Sequence, residues 1–287
     1  MTYANPAPSA PTGKELLRST WGLLKQDREL LWLPVLATFS ALLAVVVLFT
    51  PGFLLGAGLG NDNAGIVIGG ALAGVGSTAV AIYFQAALVI GANQRAGGGD
   101  PTLRGVLAEA WTLRARILKW ALLAATVGAV IRTAERRLGI LGNILGFLGG
   151  VAWAIATFFV VPVLVSEDLG PIDAVKRSSS VLKSTWGTSV RSTLRFGLIQ
   201  LVALVPALIA VFAGAAVVSS GTTAGLALGL VLILLGVLAI LALSMVASAV
   251  TGYARALIYR YATGAPVPGI SQAMLAGAFA PKKSSRF

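Results

Sequence analysis

Three charged side chains at helical spacing, Arg132, Glu135 and Arg136, are the residues of this sequence best suited to hold an anion. Arg132 stands three residues before Glu135 and four before Arg136, so a helix would place all three on one face. Two guanidinium groups on one face can hold a phosphate or a carboxylate, with Glu135 offsetting part of their charge. Two interpretations stay open: a charged rim at the end of a helix, and a site for an anion or a lipid headgroup.

The rest of the composition excludes much catalytic chemistry. The chain contains no Cys and no His, which rules out disulfides, thiolate or imidazole metal ligands, and any catalytic triad that uses His as its base. The long apolar runs carry almost no ionisable side chain, whereas membrane transporters and proteases usually place such groups at mid-depth. We therefore predict no enzymatic activity and no catalytic, cofactor-binding or metal-binding residue.

The composition of the long apolar runs predicts an all-α membrane protein. Hydrophobic residues make up 57% of the 287 positions and charged residues only 11%, where a soluble domain has about a quarter charged. The mean hydropathy is +0.88. The uncharged stretch 196–254 alone is long enough for two spans of about 20 residues. Charge-free runs separated by polar turns predict six transmembrane helices, at about 30–55, 64–92, 117–135, 139–165, 194–218 and 224–255.

The distribution of Lys and Arg predicts the orientation in the membrane. If residue 1 lies in the cytoplasm, all of the 22 bases except Arg132, Arg136 and Arg137 fall on the cytoplasmic side. This asymmetry follows the positive-inside rule and places both termini in the cytoplasm. The net charge of +12 then reflects bases at the inner membrane surface. Anionic lipid, rather than nucleic acid, is therefore the predicted partner.

The ends of the chain differ in composition from its middle. Residues 1–13 have neither a base nor an apolar run, so they are predicted to be a disordered cytoplasmic tail rather than a secretory signal. Residues 14–265 are predicted to form the six-span membrane domain. Residues 266–287 are predicted to be a cytoplasmic C-terminal tail.

One short phrase, Ser-Thr-Trp-Gly, occurs at residues 19–22 and again at residues 184–187. Each copy ends a basic amphipathic segment and precedes an apolar run, and a looser copy surrounds Trp111. Such helices are typical of the membrane interface, where Trp prefers the headgroup level. We predict three repeats of one unit, a cytoplasmic amphipathic helix followed by a transmembrane hairpin. The residues predicted to meet lipid are Trp21, Trp111, Trp186, Arg18, Lys176, Arg177 and Lys183.

Apolar and small residues at helical spacing predict how these elements pack. In the third amphipathic segment the predicted apolar face consists of Ile172, Val175, Ser179, Leu182 and Trp186. Glycines spaced by four residues let membrane helices approach closely. The rows with this spacing are Gly70 and Gly74; Gly142, Gly146 and Gly150; and Gly221, Gly225 and Gly229.

Four segments of the chain carry a family resemblance: "RAGGGDPTLRGVLAEA", "KWALLAATVGAVIR", "FFVVPVLVSEDLGPIDAVKRSSSVLKSTWG" and "LIYRYATGAPVPGI". They resemble a prokaryotic family of six-span integral membrane proteins that is defined as a domain of unknown function. The segment with Gly170, Pro171, Lys176 and Arg177 is also distantly similar to the membrane domain of some glycerophosphodiester phosphodiesterases. The resemblance implies a fold and a location in the prokaryotic cytoplasmic membrane. It implies no activity.

The function stays open between two main alternatives. The first is a non-enzymatic membrane protein that organises lipid or scaffolds partner proteins, including other copies of itself. The second is a transporter or channel for a lipid-like or apolar solute. An intramembrane enzyme ranks third, because no nucleophile stands in a pattern with a base.

The orientation can be tested by labelling. Single cysteines at Asn61, Ser220 and Ser284 are treated with a membrane-impermeant thiol reagent in intact cells. We expect labelling at Asn61 and Ser220, on the outer turns, and none at Ser284 until the cells are opened. Labelling of Ser284 alone in intact cells would reject the predicted topology.

Overall fold

The computed structural model describes residues 22, 26–137, 139–186 and 190–265 of the chain. Its regular structure is helical throughout, with no strand among those residues, so the all-α prediction is confirmed. The predicted tails 1–13 and 266–287 lie outside the described residues. Arg18 and Trp21 lie outside them as well.

A short 3₁₀ turn, Arg28–Leu31, precedes nine α-helices within the described part of the chain. The helices are α1 Trp32–Gly58, α2 Asp62–Ala96, α3 Leu103–Thr112, α4 Arg114–Arg137, α5 Gly139–Ala156, α6 Val160–Ser166, α7 Pro171–Trp186, α8 Val190–Val218 and α9 Thr223–Ala262. The short helix α3 precedes α4 and α5, and the short helix α7 precedes α8 and α9. The first amphipathic segment lies largely outside the described residues.

Five segments are long and apolar enough to cross a membrane. They are Arg28–Gly58, Asn63–Ala96, Arg114–Arg137, Leu141–Ser166 and Thr223–Ala262. The predicted span at 194–218 corresponds to α8. The side chains at 190–203 of this helix lie outside the described part, and the segment that can be assessed, Leu204–Val218, is a shorter apolar helix.

The predicted span at 139–165 is interrupted by a turn. The charge pattern predicts a single helix there, but α5 ends at Ala156 and α6 begins at Val160. The cause is Pro162, which has no N–H and whose ring would collide with the carbonyl group of Phe158 four residues earlier in a continuous helix. The backbone N–H of Phe159 instead donates to Ser178 Oγ of α7 at 2.9 Å. The turn therefore docks α5 and α6 onto α7.

Helices α2 and α9 are longer than a membrane requires. The 40 residues of α9 extend over about 60 Å at 1.5 Å per residue, roughly twice the 30 Å of a hydrocarbon core. The 35 residues of α2 extend over about 52 Å. Both helices thus continue beyond the length of a span, and their extra turns form much of the protein core.

The buried core lies at one end of the molecule, which we call the base. The base consists of the 3₁₀ turn with the first turn of α1, the last turns of α2 from Ile82, α3, the start of α4, α6, α7, and α9 from Ala249. Its largest fully buried side chains are Tyr253, Phe159, Leu30, Leu33, Ile90, Leu164, Leu257, Val106, Val160 and Val163. Each such side chain stabilises the fold by about 1.5–3 kcal/mol relative to exposure.

Beyond the base, the helices form hairpins with apolar outer surfaces. Large hydrophobic side chains are exposed there, for example Val67 at 70% and Phe212 at 72%. A surface of this kind indicates contact with lipid, because a soluble protein rarely exposes large continuous apolar patches. The hairpins therefore have the surface expected of membrane-spanning segments.

Glycines bring the two helices of a hairpin into backbone contact. In the α1–α2 hairpin, Gly52 faces Gly69 and Gly56 faces Gly65. In the α8–α9 hairpin, Gly214 lies against the carbonyl oxygen of Gly229. The predicted glycine rows agree with these contacts only in part. A Cβ atom on Gly225 or Gly229 would collide with a neighbour, whereas one on Gly70, Gly74 or Gly150 would meet nothing within 4 Å. Spacing alone therefore does not identify which glycines pack.

The face of α7 that packs in the base differs from the predicted apolar face. Ala174, Ser178 and Val181 are buried, whereas Ile172 is 61% exposed. Val175 and Leu182 are partly buried at the edge of this face. The difference arises because Ser178 accepts the N–H of Phe159, which turns the small side of α7 toward α6. Ile172 therefore does not belong to the face of α7 that packs in the base.

The close approach of α1 and α2 makes Gly56 a sensitive position. A Cβ atom on Gly56 would overlap the backbone of Gly65, whereas one on Gly58 in the same helix would meet nothing within 4 Å. We expect Gly56→Ala to destabilise the protein by about 1–3 kcal/mol through overpacking and Gly58→Ala to leave it nearly unchanged. Thermal unfolding in detergent measures both, and equal melting temperatures for the two variants would contradict this packing.

Candidate functional site

Of the three predicted interfacial tryptophans, Trp111 can be assessed. It lies on α3 with 60% of its surface exposed. Its ring meets Tyr83 edge-on at a centroid distance of 6.2 Å, and the guanidinium carbon of Arg114 lies 5.6 Å from its centroid. Trp186 is the last residue of α7, but its side chain lies outside the described part. An exposed Trp beside a cation is the arrangement expected at a headgroup surface.

The predicted bases of α7 divide into two kinds. Arg177 is bound to Glu167, with its Nε 2.9 Å from Oε1. Lys176 forms a pair with Asp173 at 3.1 Å, in which both side chains are more than 60% exposed. Lys183 is exposed and forms no ion pair within the described residues. Two lysines of α7 thus remain accessible, while the arginine is engaged in the fold.

A shallow depression opens between the two lysines. It is lined by Val175, Lys176, Ser179, Ser180 and Lys183. Two ammonium groups and two serine hydroxyls therefore surround one concave surface of α7. The ammonium groups and the Ser180 hydroxyl are hydrogen-bond donors of the kind that bind phosphate oxygens, while the Ser179 hydroxyl donates to the carbonyl oxygen of Ala156 at 3.4 Å.

A buried cluster around Asp27 joins the start of the chain to α2 and α9. The Asp27 side chain is 1% exposed. Arg95 of α2 donates from Nε to both of its carboxylate oxygens, at 3.0 Å and 3.1 Å, and Nη2 of Arg95 binds it as well. Tyr253 of α9 donates its hydroxyl to Asp27 Oδ2 at 3.3 Å. Arg95 also binds Asp100 at 2.6 Å.

A second cluster, around Glu167, has the same composition. Arg177 of α7 donates from Nε to Oε1 at 2.9 Å and to Oε2 at 3.2 Å. The hydroxyl of Tyr259 in α9 donates to Oε1 as well. Beside this cluster, Arg116 of α4 binds Asp168 at 2.5 Å. Three helices and the loop after α6 meet at this point.

The two clusters share one design, in which a carboxylate is held by an arginine and a tyrosine hydroxyl. Sequence reasoning missed both. The signals that were present are an acid directly beside an apolar run, at Asp27 and Glu167, and two tyrosines at the end of α9, Tyr253 and Tyr259. An acid next to a membrane span needs a partner nearby, because a buried charge is costly without one.

The electrostatics of the Glu167 cluster favour its charged forms. Burial by itself raises the pKa of the Glu167 carboxyl, but the hydrogen bonds from Tyr259 and Arg177 outweigh burial, so the pKa lies below its ordinary value. Glu167 in turn raises the pKa of Arg177. Both groups are therefore charged at neutral pH and are stabilised as a pair. Within the described residues, no group of three His, Cys, Asp or Glu side chains is placed to hold a metal ion.

The predicted anion site at the end of α4 lacks its expected ion pair. Arg132 and Arg136 are exposed, and within the described residues no ion pair links Glu135 to either of them. Glu135 instead packs against Gly146 of α5. The expected offset of Arg132 or Arg136 by Glu135 was wrong, because the glycine opposite leaves room for the carboxylate stem to lie across α5. Anion binding by the two arginines stays a prediction.

A cavity of about 320 Å³ opens between α1, α2 and α9 just above the base. Most of its lining is apolar, including Leu33 and Phe84. Four polar side chains, Thr38, Gln85, Ser244 and Ser248, also line it. Thr38 donates to the carbonyl oxygen of Pro34 at 2.9 Å, and none of the other three forms a hydrogen bond within the described part of the chain. No charged residue lines this cavity. Its size lies at the lower end of the usual range for small-molecule pockets.

These features define a class of protein: an all-helical chain with several helices of membrane-spanning length, joined at one end by a buried base. Residues 74–268 match the model of DUF6159, a family of unknown function. This match covers more than half of the chain, so the protein belongs to that family. No curated protein matches the chain, and no solved structure does.

The family assignment confirms the resemblance to a domain of unknown function. The matched region begins in α2 and includes the whole of the Glu167 cluster. The prokaryotic origin and the similarity to membrane domains of glycerophosphodiester phosphodiesterases stay predictions. So does the absence of enzymatic activity.

The Glu167 cluster predicts a pH dependence of stability. A carboxyl whose folded pKa is lowered stabilises the fold above its unfolded pKa, here the ordinary 4.5, and loses that contribution as the pH falls through the folded value. We expect Glu167→Gln to lower stability at pH 7 by roughly 1–2 kcal/mol, allowing for screening at the half-exposed Arg177. The gap between wild type and variant should narrow as the pH falls below about 4.5.

Asp173→Asn is the matched control, because it removes one carboxylate from an exposed pair on the same helix. Such pairs contribute about 0–1 kcal/mol, so its melting temperature should remain close to that of the wild type. Thermal unfolding between pH 3 and pH 8 measures all three proteins. A Glu167→Gln variant that melts with the control at every pH contradicts a stabilising role for the cluster.

Proposed function

We propose that the chain is a six-span membrane protein with both termini in the cytoplasm, which gathers anionic lipid beneath its base without catalysing a reaction. In this arrangement the sixth span is α8, and the three hairpins are α1–α2, α4–α5 and α8–α9. The exposed apolar surfaces of the hairpins and the concentration of bases at the opposite end support it. The base then lies at the inner membrane surface of a prokaryotic cell.

The observation that carries the lipid function is the depression on α7. Lys183 lacks an ion pair within the described residues, and Lys176 has only an exposed partner, Asp173. Exposed pairs exchange readily with other ions, since they contribute little stability. Each lysine near an anionic surface contributes about 1 kcal/mol to binding. The Ser180 hydroxyl adds a donor for a phosphate oxygen, whereas the Ser179 hydroxyl already donates to the carbonyl oxygen of Ala156.

A second candidate function, transport of a neutral lipid-like solute, is favoured by the cavity between α1, α2 and α9. Its apolar lining and its three unpaired polar groups suit a molecule with an acyl chain and an uncharged polar head. Solute flux into vesicles that contain the protein separates this function from lipid gathering. A scaffold for partner proteins, or for further copies of this chain, stays a third alternative.

The lipid function predicts a loss of anionic lipid when both lysines are removed. The purified full chain is placed in nanodiscs of mixed phosphatidylglycerol and phosphatidylcholine, and the lipid bound to the protein is counted by native mass spectrometry. We expect Lys176→Gln with Lys183→Gln to weaken phosphatidylglycerol binding by roughly tenfold or more, from about 1 kcal/mol per lysine. The fold should be unaffected, because both side chains are exposed.

The matched control is Arg28→Gln with Arg104→Gln. Both arginines are exposed, and neither forms an ion pair within the described residues. Their replacement removes the same charge, from the same end of the molecule, as the replacement of the two lysines. The fold-loss of phosphatidylglycerol affinity in the control should be at least about five times smaller than in the α7 variant, since Arg28 and Arg104 do not converge on one surface. Equal losses would show diffuse attraction by net charge and reject the α7 depression as a lipid site.

A further inference from the structure

Arg255 of α9 is a largely buried cation for which the described residues provide no counter-ion. Its Nε atom is sealed from solvent and has no hydrogen-bond partner. No ion pair joins its guanidinium to a carboxylate within the described part of the chain. Its one described contact of an electrostatic kind is with Phe158, whose ring centroid lies 4.8 Å from the guanidinium carbon. A cation–π contact is weaker than the desolvation penalty of a buried charge, so this arrangement calls for an anion.

The carboxylates around the base cannot supply that anion, because they are already engaged. Each has a partner of its own: Asp27, Glu29, Asp100, Glu109, Glu167, Asp168 and Asp173. Of the other three acids in the chain, two stand at helix ends remote from the base: Asp62 at the first residue of α2 and Glu135 in the last turn of α4. The remaining acid, Glu15, lies outside the described residues. The missing charge must therefore come from beyond the described part of the molecule.

The geometry around Arg255 favours an oxyanion that binds from the edge of the guanidinium plane. The Phe158 ring covers a face of the group and Nε is sealed from solvent, which leaves the two terminal Nη groups for hydrogen bonds with an anion. Two parallel N–H groups match two oxygens of a phosphate. The turn that carries Phe158 also receives Ser178 and Ser179 of α7, at Phe159 and Ala156. The exposed lysines of α7 make the surrounding potential more positive and favour a multiply charged anion.

The position of Arg255 along α9 agrees with the depth of lipid phosphates. It follows Thr223, the first residue of the helix, by about 48 Å at 1.5 Å per residue. A bilayer measures about 40–45 Å between its outer polar surfaces. A helix that begins at one surface and tilts by about 20° therefore brings Arg255 to the headgroup level of the other surface.

We propose that Arg255, stacked on Phe158, binds a phosphate group with the free edge of its guanidinium, and that the phosphate belongs to a phospholipid headgroup or to a free phosphate ion. Binding at this point does not require the depression on α7, so it can fail or succeed separately from the lipid function proposed above. Only the lipid as source depends on the proposed orientation in the membrane.

Thermal unfolding of the full chain in a non-ionic detergent, followed by tryptophan fluorescence, tests the proposal. Three probes are titrated at constant ionic strength: inorganic phosphate, dihexanoyl phosphatidic acid, and dihexanoylglycerol, which lacks the phosphate. We expect the melting temperature of the wild type to rise by several degrees with a phosphate-bearing probe and not with dihexanoylglycerol, because a ligand that binds the folded state stabilises it. A rise with inorganic phosphate identifies free phosphate as sufficient, and a rise with phosphatidic acid alone identifies the lipid.

Arg255→Met should abolish the rise and, without any probe, should melt at or above the wild-type temperature, because it removes an uncompensated buried charge. Arg104→Met, which removes an exposed arginine, should respond as the wild type does. If Arg255→Met does not fold, Arg255→Lys is used instead, because it keeps the charge but lacks the two parallel N–H donors. It should need at least about ten times more probe for a half-maximal rise in melting temperature.

Two results would overturn the proposal. The first is a wild type whose melting temperature responds to neither phosphate probe; strong destabilisation by Glu15→Gln would then identify Glu15 as the counter-ion of Arg255. The second is an equal response in the wild type and in Arg255→Met, or in Arg255→Lys, which would assign the binding to other bases.

Discussion

Two hydrogen bonds from tyrosine to carboxylate tie the last helix to the rest of the molecule. Tyr253 reaches Asp27, 226 residues away, and Tyr259 reaches Glu167. Each carboxylate is also held by an arginine from another helix, Arg95 in α2 or Arg177 in α7. A buried carboxylate without such partners would be costly, so each cluster fixes three elements together. The base exists as one body because α9 takes part in both clusters.

The division between base and hairpins follows from what each environment permits. Between helices in lipid there is no hydrophobic driving force, so contact depends on close packing, which explains the glycine pairs of α1 with α2. In the base, aromatic and aliphatic side chains are buried against one another and charged groups find partners. Contacts between helices are thus made by small residues within the hairpins and by large residues in the base.

The sequence allowed the helical class and the approximate positions of the long helices to be predicted, because charge-free runs have lengths that hydrocarbon thickness limits. It did not reveal the break before α6, although Pro162 carried the signal. The pairing of Glu135 with Arg132 or Arg136 was predicted from spacing alone and was wrong, since the Glu135 side chain packs against Gly146 of the facing helix α5.

The buried clusters could not be derived from the sequence, because nothing local indicates that Tyr253 meets an acid from the start of the chain. That the described residues provide no counter-ion for Arg255 was hidden for the same reason, because it becomes visible only when the acids among those residues have been assigned to their partners. Local patterns thus predicted elements, whereas the polar contacts depended on which elements meet.

Each hairpin is fixed at the base by packing and exposes apolar side chains beyond it. A change in the tilt of a hairpin therefore moves its far end most. A thinner bilayer makes such helices tilt, and a thicker one lets them stand upright, at a cost of fractions of a kcal/mol per Å of mismatch. Because large side chains such as those of Tyr253 and Phe159 resist deformation inside the base, the adjustment falls on the hairpin ends. A difference in bilayer thickness would therefore change the tilt of the hairpins and leave the packing of the base unchanged.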